Sequence, residues 1–233
     1  MLLEFVEIPE GSFLLGAEID NSFADESNIP IRRVWLPKYE IARYPASVAE
    51  WREYVQQANV NWAFWPELTE ACPTDDYPVV YVSWTEAAAY AQWLGSHTGR
   101  NVSLPTSAQW EKACRGTNGR DFPWGNDSGL SPDIDFHIVP PYRLSTLHLL
   151  ESPYGCRHMC QNVYELCSDW FDEFYYTYLD PVAPTGPLVG EEGKRTLRGA
   201  RLDAASPVCC RRFPVSPEEH SRQIGFRLVI NET

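Results

Sequence analysis

The chain has 233 residues, of which 44% are hydrophobic and 22% charged. These values fit one large domain that buries its own core without staples. Lys and Arg number 19 against 32 Asp and Glu, a net charge of −13, which repels phosphate backbones and excludes general nucleic-acid binding. No apolar run reaches the roughly 20 residues of a membrane helix. The opening MLLEFVEIPEGSF has no basic n-region and is interrupted by Glu4 and Glu7, so the expectation is a cytoplasmic protein with no signal peptide and no membrane partner.

Residues 1–45 read as extended. EFVEIP and SFLLGA are short apolar segments separated at Pro9–Gly11, and RRVWLPKYEIARY alternates as a strand interrupted at Pro37. Three helices then start at capping boxes. Ser47-x-x-Glu50 opens SVAEWREYVQQA, Ser83-x-x-Glu86 opens SWTEAAAYAQWLGSHTG, and Thr106-x-x-Gln109 opens TSAQWEKACRG. Gly95 or Gly99 ends the second helix and Gly116 the third. The aromatic stripes on these helices, Trp51, Tyr54, Tyr90 and Trp110, read as core. Between Asp121 and Pro187 helical periodicity fails, while the density of Trp and Tyr implies loops packed back on the core. TLRGARL and IGFRLVI read as two terminal strands around a loop. Few helices, short strands and long loops make the fold class α+β, one domain over 1–233.

The seven cysteines are read as reduced, buried thiols. Cys156, Cys160 and Cys167 cluster around His158, but their spacings match no paired zinc motif. The five histidines, His97, His137, His148, His158 and His220, form no metal or catalytic pattern. From Lys194 to Arg227 the chain turns basic, with Lys194, Arg195, Arg198, Arg201, Arg211, Arg212, Arg222 and Arg227 against Asp203, Glu218 and Glu219. Such a segment either attracts an acidic partner or supplies internal ion pairs.

Several stretches resemble, in fixed order, the formylglycine-generating-enzyme/sulfatase-modifying-factor family. They are FVEIPEGSFLLGA, then YPVVYVSWTEAAAYAQWLGSHTGRNVSLPTSAQWEKACRG, FPWGN, SPYGCRHMCQNVYELCSDW, LRGARL and IGFRLV. The resemblance implies a C-type-lectin-like fold with little regular structure. It also assigns framework roles to Arg198, Gly199, Arg212, Gly225, Phe226 and Arg227. The family holds copper-dependent oxidases, sulfoxide-forming iron enzymes with an added helical domain for which 233 residues leave no room, and non-enzymatic members.

The oxidase branch uses two cysteines separated by four residues after its RGG motif. In RGARLDAASPVCCRRF those positions fall on Ala204 and Cys209 when counted from Arg198, and neither Cys209 nor Cys210 has a partner at the required spacing. If the chain were an oxidase, Cys209 and Cys210 would be its candidates. No cofactor is expected. Calcium, if held, would be held weakly through Asn162 and Glu165.

Other members with this fold are variable proteins of diversity-generating retroelements, whose terminal loop is varied by adenine mutagenesis. Arg201, Asp203, Ala204, Ser206, Val208, Cys209, Cys210, Phe213, Val215, Ser216, His220 and Ser221 are the expected binding positions. Apart from Arg201, which flanks them as a steering charge, their residue types match those that such mutagenesis yields. The expected function is a non-catalytic domain binding an unknown protein or small ligand at this loop face. The alternative is an oxidase or a sulfatase-modifying-factor-like accessory protein. On the binding reading, Cys209 and Cys210 face outward and tolerate alanine.

Overall fold

The computed structural model describes residues 3–126, 141–145, 151–199 and 208–232. Strands β1 (Phe5–Ile8), β2 (Gly11–Leu15), β3 (Arg32–Leu36) and β4 (Tyr39–Ala42) open the chain. Helices α1 (Val48–Gln57), α2 (Trp65–Ala71) and α3 (Trp84–Thr98) follow. Next come β5 (Val102–Ser103), α4 (Ser107–Arg115) and β6 (Tyr164–Trp170), then β7 (Arg195–Arg198), β8 (Arg212–Val215), β9 (Ile224–Gly225) and β10 (Val229–Asn231). The architecture is α+β.

The three expected helices form where the capping boxes put them. At each start the Ser or Thr hydroxyl accepts the N3 amide, and the N3 Glu or Gln side chain accepts the cap amide. Gly99 closes α3 in the left-handed conformation at φ 67°. Helix α2 carries no such signature, because Phe64 caps it without a side-chain bond and Pro66 supplies the preset φ of its first turn.

Three sheets organise the described residues, in orders β1-β4-β10-β5, β2-β3 and β8-β7-β6-β9. β10 pairs antiparallel with both β4 and β5, so the C-terminal strand closes onto the N-terminal one. In the third sheet β6 pairs antiparallel with β7 and parallel with β9, and β7 pairs antiparallel with β8. Neither β6 nor β8 was expected as a strand. β6 carries Glu165 and Asp169 on buried positions, which conceals its apolar alternation, and β8 contains Pro214, tolerated because β8 lies at the sheet edge.

The helical side of the core centres on Trp51. Its ring meets Tyr54 at 5.1 Å, Trp62 at 5.5 Å and Tyr90 at 5.9 Å, and Phe226 from the terminal strands closes the group at 6.2 Å. The other side packs Phe13, Leu15, Ile41, Trp110, Met159 and Tyr176 around α4. No helix of the described residues is long and apolar enough to cross a membrane.

Candidate functional site beside the terminal strands

The site grows out of buried charges that fasten β6, β7 and the terminal strands to α4. Arg227 is fully buried and donates to Glu165 through Nε at 2.5 Å and Nη2 at 2.7 Å. It also donates to the carbonyls of Ala42 and Arg157. Trp110 Nε1 donates to the same Glu165 carboxylate at 2.7 Å. Arg198, also fully buried, donates to Glu111 Oε2 at 2.7 Å, Tyr176 Oη at 2.6 Å and Ser107 Oγ at 2.8 Å. Its remaining nitrogen reaches the carbonyls of Cys209, Cys210 and Arg211 at 3.2, 2.9 and 3.3 Å. Glu111 Oε1 in turn accepts Arg115 Nη1 and the Gly16 amide, both at 2.7 Å. Every charge is paired and hydrogen-bonded, as burial demands.

These contacts assign physical roles to the framework residues. A Cβ on Gly225 would lie 2.8 Å from the Val79 carbonyl, and one on Gly199 would sit 3.3 Å from Trp110 at φ 81°. Phe226 packs edge-on to Tyr90 at 5.5 Å. Arg212 donates to the Ser27 and Asp172 carbonyls and lies over the Tyr176 ring at 4.3 Å. Arg195 is sandwiched between Trp84 and Trp170 at 3.6 and 3.3 Å. Arg195, Arg198, Arg212 and Arg227 are therefore internal wiring rather than a basic face.

The thiols differ most from expectation. Val208, Cys209 and Cys210 are buried at 0, 0 and 1% exposure, and Val215 is buried too. This removes all four from a contact surface and corrects the reading of Cys209 and Cys210 as outward-facing. The two vicinal cysteines also diverge. Cys210 lies in a small apolar cluster with Ala17, Phe122 and Val208, where Asn28 Nδ2 approaches its sulfur at 3.7 Å. Cys209 points the other way, and its Sγ accepts from Cys114 Sγ at 2.8 Å, while Cys160 Sγ lies 3.6 Å from Cys114 Sγ. All three sulfurs lie within 4.8 Å of one another and all three residues are buried.

Burial raises Cys114 and Cys209 well above the ordinary thiol value, and pushes Cys72 and Cys210 up to about 12 and Cys156 up to about 11. Burial opposes ionisation of Cys160 as well, but its interactions with the Cys114 and Cys209 thiol groups outweigh it and hold that thiol below its ordinary value. Of the expected cluster Cys156, Cys160 and Cys167, only Cys160 joins this group.

Asn162 and Glu165, the calcium candidates, are both fully buried. Asn162 exchanges two hydrogen bonds with the Tyr142 backbone, at 2.8 and 3.0 Å, and Glu165 is neutralised by Arg227.

Of the expected binding positions, Arg201, Asp203, Ala204 and Ser206 lie outside the described residues. Phe213, Ser216, His220 and Ser221 are half-buried. His220 stacks on Phe64 at 4.2 Å and meets Glu86 Oε2 at 3.0 Å. Phe213 packs edge-on to Tyr164 at 5.3 Å. The Ser221 carbonyl accepts the amide of Tyr81, a residue held at φ 60° and parallel to Phe64 at 6.2 Å. Phe64 and Tyr81 were not among the expected site residues. Their proximity depends on chain separation that no local pattern encodes.

The comparisons with known proteins agree with this architecture. The formylglycine-generating enzyme of Streptomyces coelicolor is 34% identical over 199 residues, covering 72% of this chain. This chain spans 59% of that protein's length. The structure of PvdO from Pseudomonas aeruginosa superposes with a TM-score of 0.77 at 20% identity, covering 99% of this chain and 95% of that one. The Treponema denticola variable protein 1 does so with 0.74 at 19% identity, over 97% and 94%. Both neighbours share the C-type-lectin-like fold expected from the sequence. Residues 1–232 match the sequence model of the sulfatase-modifying factor enzyme 1-like domain, and the chain belongs to that family.

Proposed function

We propose that the chain is a non-catalytic binding domain. It offers Arg201, Asp203, Ala204 and Ser206, with the half-buried Phe213, Ser216, His220 and Ser221, to a protein or small ligand, in the manner of a retroelement variable protein. One observation carries the reading. Arg198 fixes the carbonyls of Cys209, Cys210 and Arg211 at one end of segment 200–207, while Gly199 is packed against Trp110 at the other. A segment with both ends anchored on a rigid frame can change its side chains without disturbing the core. The residue types in the segment and the use of the same fold by a protein named as variable are consistent with this. The reading needs no cofactor at that face and sets the domain in the cytoplasm, where seven free thiols stay reduced.

The competing reading is a copper-dependent formylglycine-generating enzyme, favoured by the similarity to the Streptomyces protein and by the convergence of thiols at Cys209. Counted from Arg198 the family's two copper cysteines fall on Ala204 and Cys209, and counted back from Gly225–Arg227 neither Cys209 nor Cys210 lies at a metal position, so neither count supplies that pair. Cys114, Cys160 and Cys209 are each 0% exposed, and a peptide cysteine has no access to their sulfurs. The residues present do not fit a catalytic copper ion, and no oxidase step is assigned to them.

The test is a variant with Arg201, Asp203, Ala204 and Ser206 replaced together by Ser, Tyr, Asn and Tyr. Its melting temperature should stay within a few degrees of wild type, since substitutions away from core features change stability by about 0.5 kcal/mol or less each. Loss of cooperative melting would reject an adaptable face. A second assay incubates wild type with copper, oxygen and a cysteine-containing peptide. Multiple turnovers to the aldehyde would reject the non-catalytic reading.

A further inference from the structure

The buried thiols at Cys114, Cys160 and Cys209 come from three parts of the chain. Cys114 lies near the end of α4, Cys160 in the turn before β6 at φ 61°, and Cys209 between β7 and β8. Such left-handed backbone is unusual for a residue other than Gly, Asn or Asp, and here it accompanies a sulfur turned toward two others. Among the described residues, the hydrogen bonds of these three buried thiol groups run from Cys114 to Cys160 and to Cys209.

We propose that Cys114, Cys160 and Cys209 form a buried trigonal trithiolate site for a soft monovalent ion, copper(I). This goes beyond the binding function, and these ligands are not the pair used by the oxidase branch, since Cys114 and Cys160 lie outside the segment after Arg198 that carries that pair.

The geometry fits the ion. A metal–sulfur bond of about 2.3 Å sets neighbouring sulfurs of a trigonal site about 4 Å apart. The three sulfurs already lie within 4.8 Å of one another, and the 2.8 and 3.6 Å pairs would open by about 1.2 and 0.4 Å on binding. Among the described residues no fourth His, Cys, Asp or Glu ligand joins them. Zinc in a closed protein site takes four ligands, whereas thiolates alone suit copper(I). On binding, each thiol gives its proton to solvent, three metal–sulfur bonds form and no electron is transferred. The complex carries two negative charges. Arg115 and Arg198 share the single Glu111 carboxylate, which leaves positive charge beside Cys209, and Arg198 also holds the Cys209 carbonyl. The ion would tie α4, the turn before β6 and the terminal segment at one point.

The test uses the full reduced chain, loaded without oxygen with copper(I) supplied as its acetonitrile complex. Loading is done both on folded protein and during refolding from denaturant, because the site is sealed. One copper per chain should survive a copper(I) chelator, and X-ray absorption should show three sulfurs at about 2.3 Å. C114S, C160S and C209S should each cut retention at least tenfold, while C156S and C167S retain it, with circular dichroism confirming the fold. The sulfur count in wild type stands even if a variant fails to fold, and fewer than three sulfurs overturns the proposal. So does retention no better than that of the triple variant, a Cys114–Cys209 disulfide that excludes the ion, or preference for zinc with a fourth light-atom ligand. Ligand binding at the loop face is a separate measurement, so either reading can fail alone.

Discussion

The two sides of this core are built by different rules. Around α1 and α3 the interior is aromatic and apolar, with Trp51, Tyr54, Trp62 and Tyr90 in mutual contact. Around α4 and the terminal strands the interior holds Glu111, Glu165, Asp169, Arg198, Arg212, Arg227 and a thiol cluster. On the first side, truncating a ring leaves a cavity but strands no charge. The second is all-or-none, because removing one partner strands another charge in a dry site. Such a frame holds β6, β7 and the terminal strands in one geometry against α4.

The sharpest way to break this comparison is Arg227→Ala. Among the described residues Glu165 would keep Trp110 alone as donor and remain a buried, uncompensated carboxylate. The expected loss is about 3–5 kcal/mol of unfolding free energy, a large share of what a domain of this size has. Urea denaturation followed by far-ultraviolet circular dichroism would measure it. A loss under about 1 kcal/mol would mean that water reaches Glu165 and that the second side is not all-or-none.

Asp169 offers a pH-dependent version of the same contrast. Its carboxylate accepts the Ser107 amide at 2.8 Å at the start of α4, yet burial raises its pKa from 3.8 to about 6 despite that bond and the nearby Arg198 and Arg212. The folded state therefore holds this proton more tightly than the unfolded chain. The stability it contributes is complete below pH 3.8 and is lost as pH rises through about 6. At about 1.4 kcal/mol per pH unit, the shift corresponds to a change of about 3 kcal/mol. Asp169→Asn keeps an oxygen for Ser107 and cannot ionise. The stability of the variant relative to wild type should thus increase by about that amount between pH 4 and pH 7. Denaturant titrations at both pH values test it, and a pH-independent difference would show that Asp169 is solvated.

Legibility in the sequence follows the same divide. α1, α3 and α4 were readable because a capping box satisfies amides within three residues of itself. α2 was not, since its cap residue Phe64 makes no side-chain bond. β6 was hidden because Glu165 and Asp169 look like surface residues until Arg227 and Ser107 are found beside them. The family resemblance located Arg198, Arg212 and Arg227, but it did not reveal that Cys114 meets Cys160 across 46 positions and Cys209 across 95. Val208, Cys209 and Cys210 were misread for a related reason. Small apolar residues suit a variable surface and a packed interior equally, and only the fold distinguishes them.

The smallest expected effect sharpens the comparison from the helical side. Ser83 is 1% exposed, and its hydroxyl accepts the Glu86 amide at 3.2 Å while Glu86 accepts the Ser83 amide at 2.9 Å. Ser83→Ala removes one of these bonds and leaves the other, creates no buried charge and vacates little space. The expected loss is about 1 kcal/mol, the usual cost of an N-cap serine, read as a shift of the urea midpoint with unchanged slope. An unchanged slope means that the same surface is exposed on unfolding, so the defect stays at the first turn of α3. A reduced slope would instead show α3 fraying as a unit. Since Glu86 also meets His220, the helical side would then be coupled to the segment after β8 as tightly as the charged side.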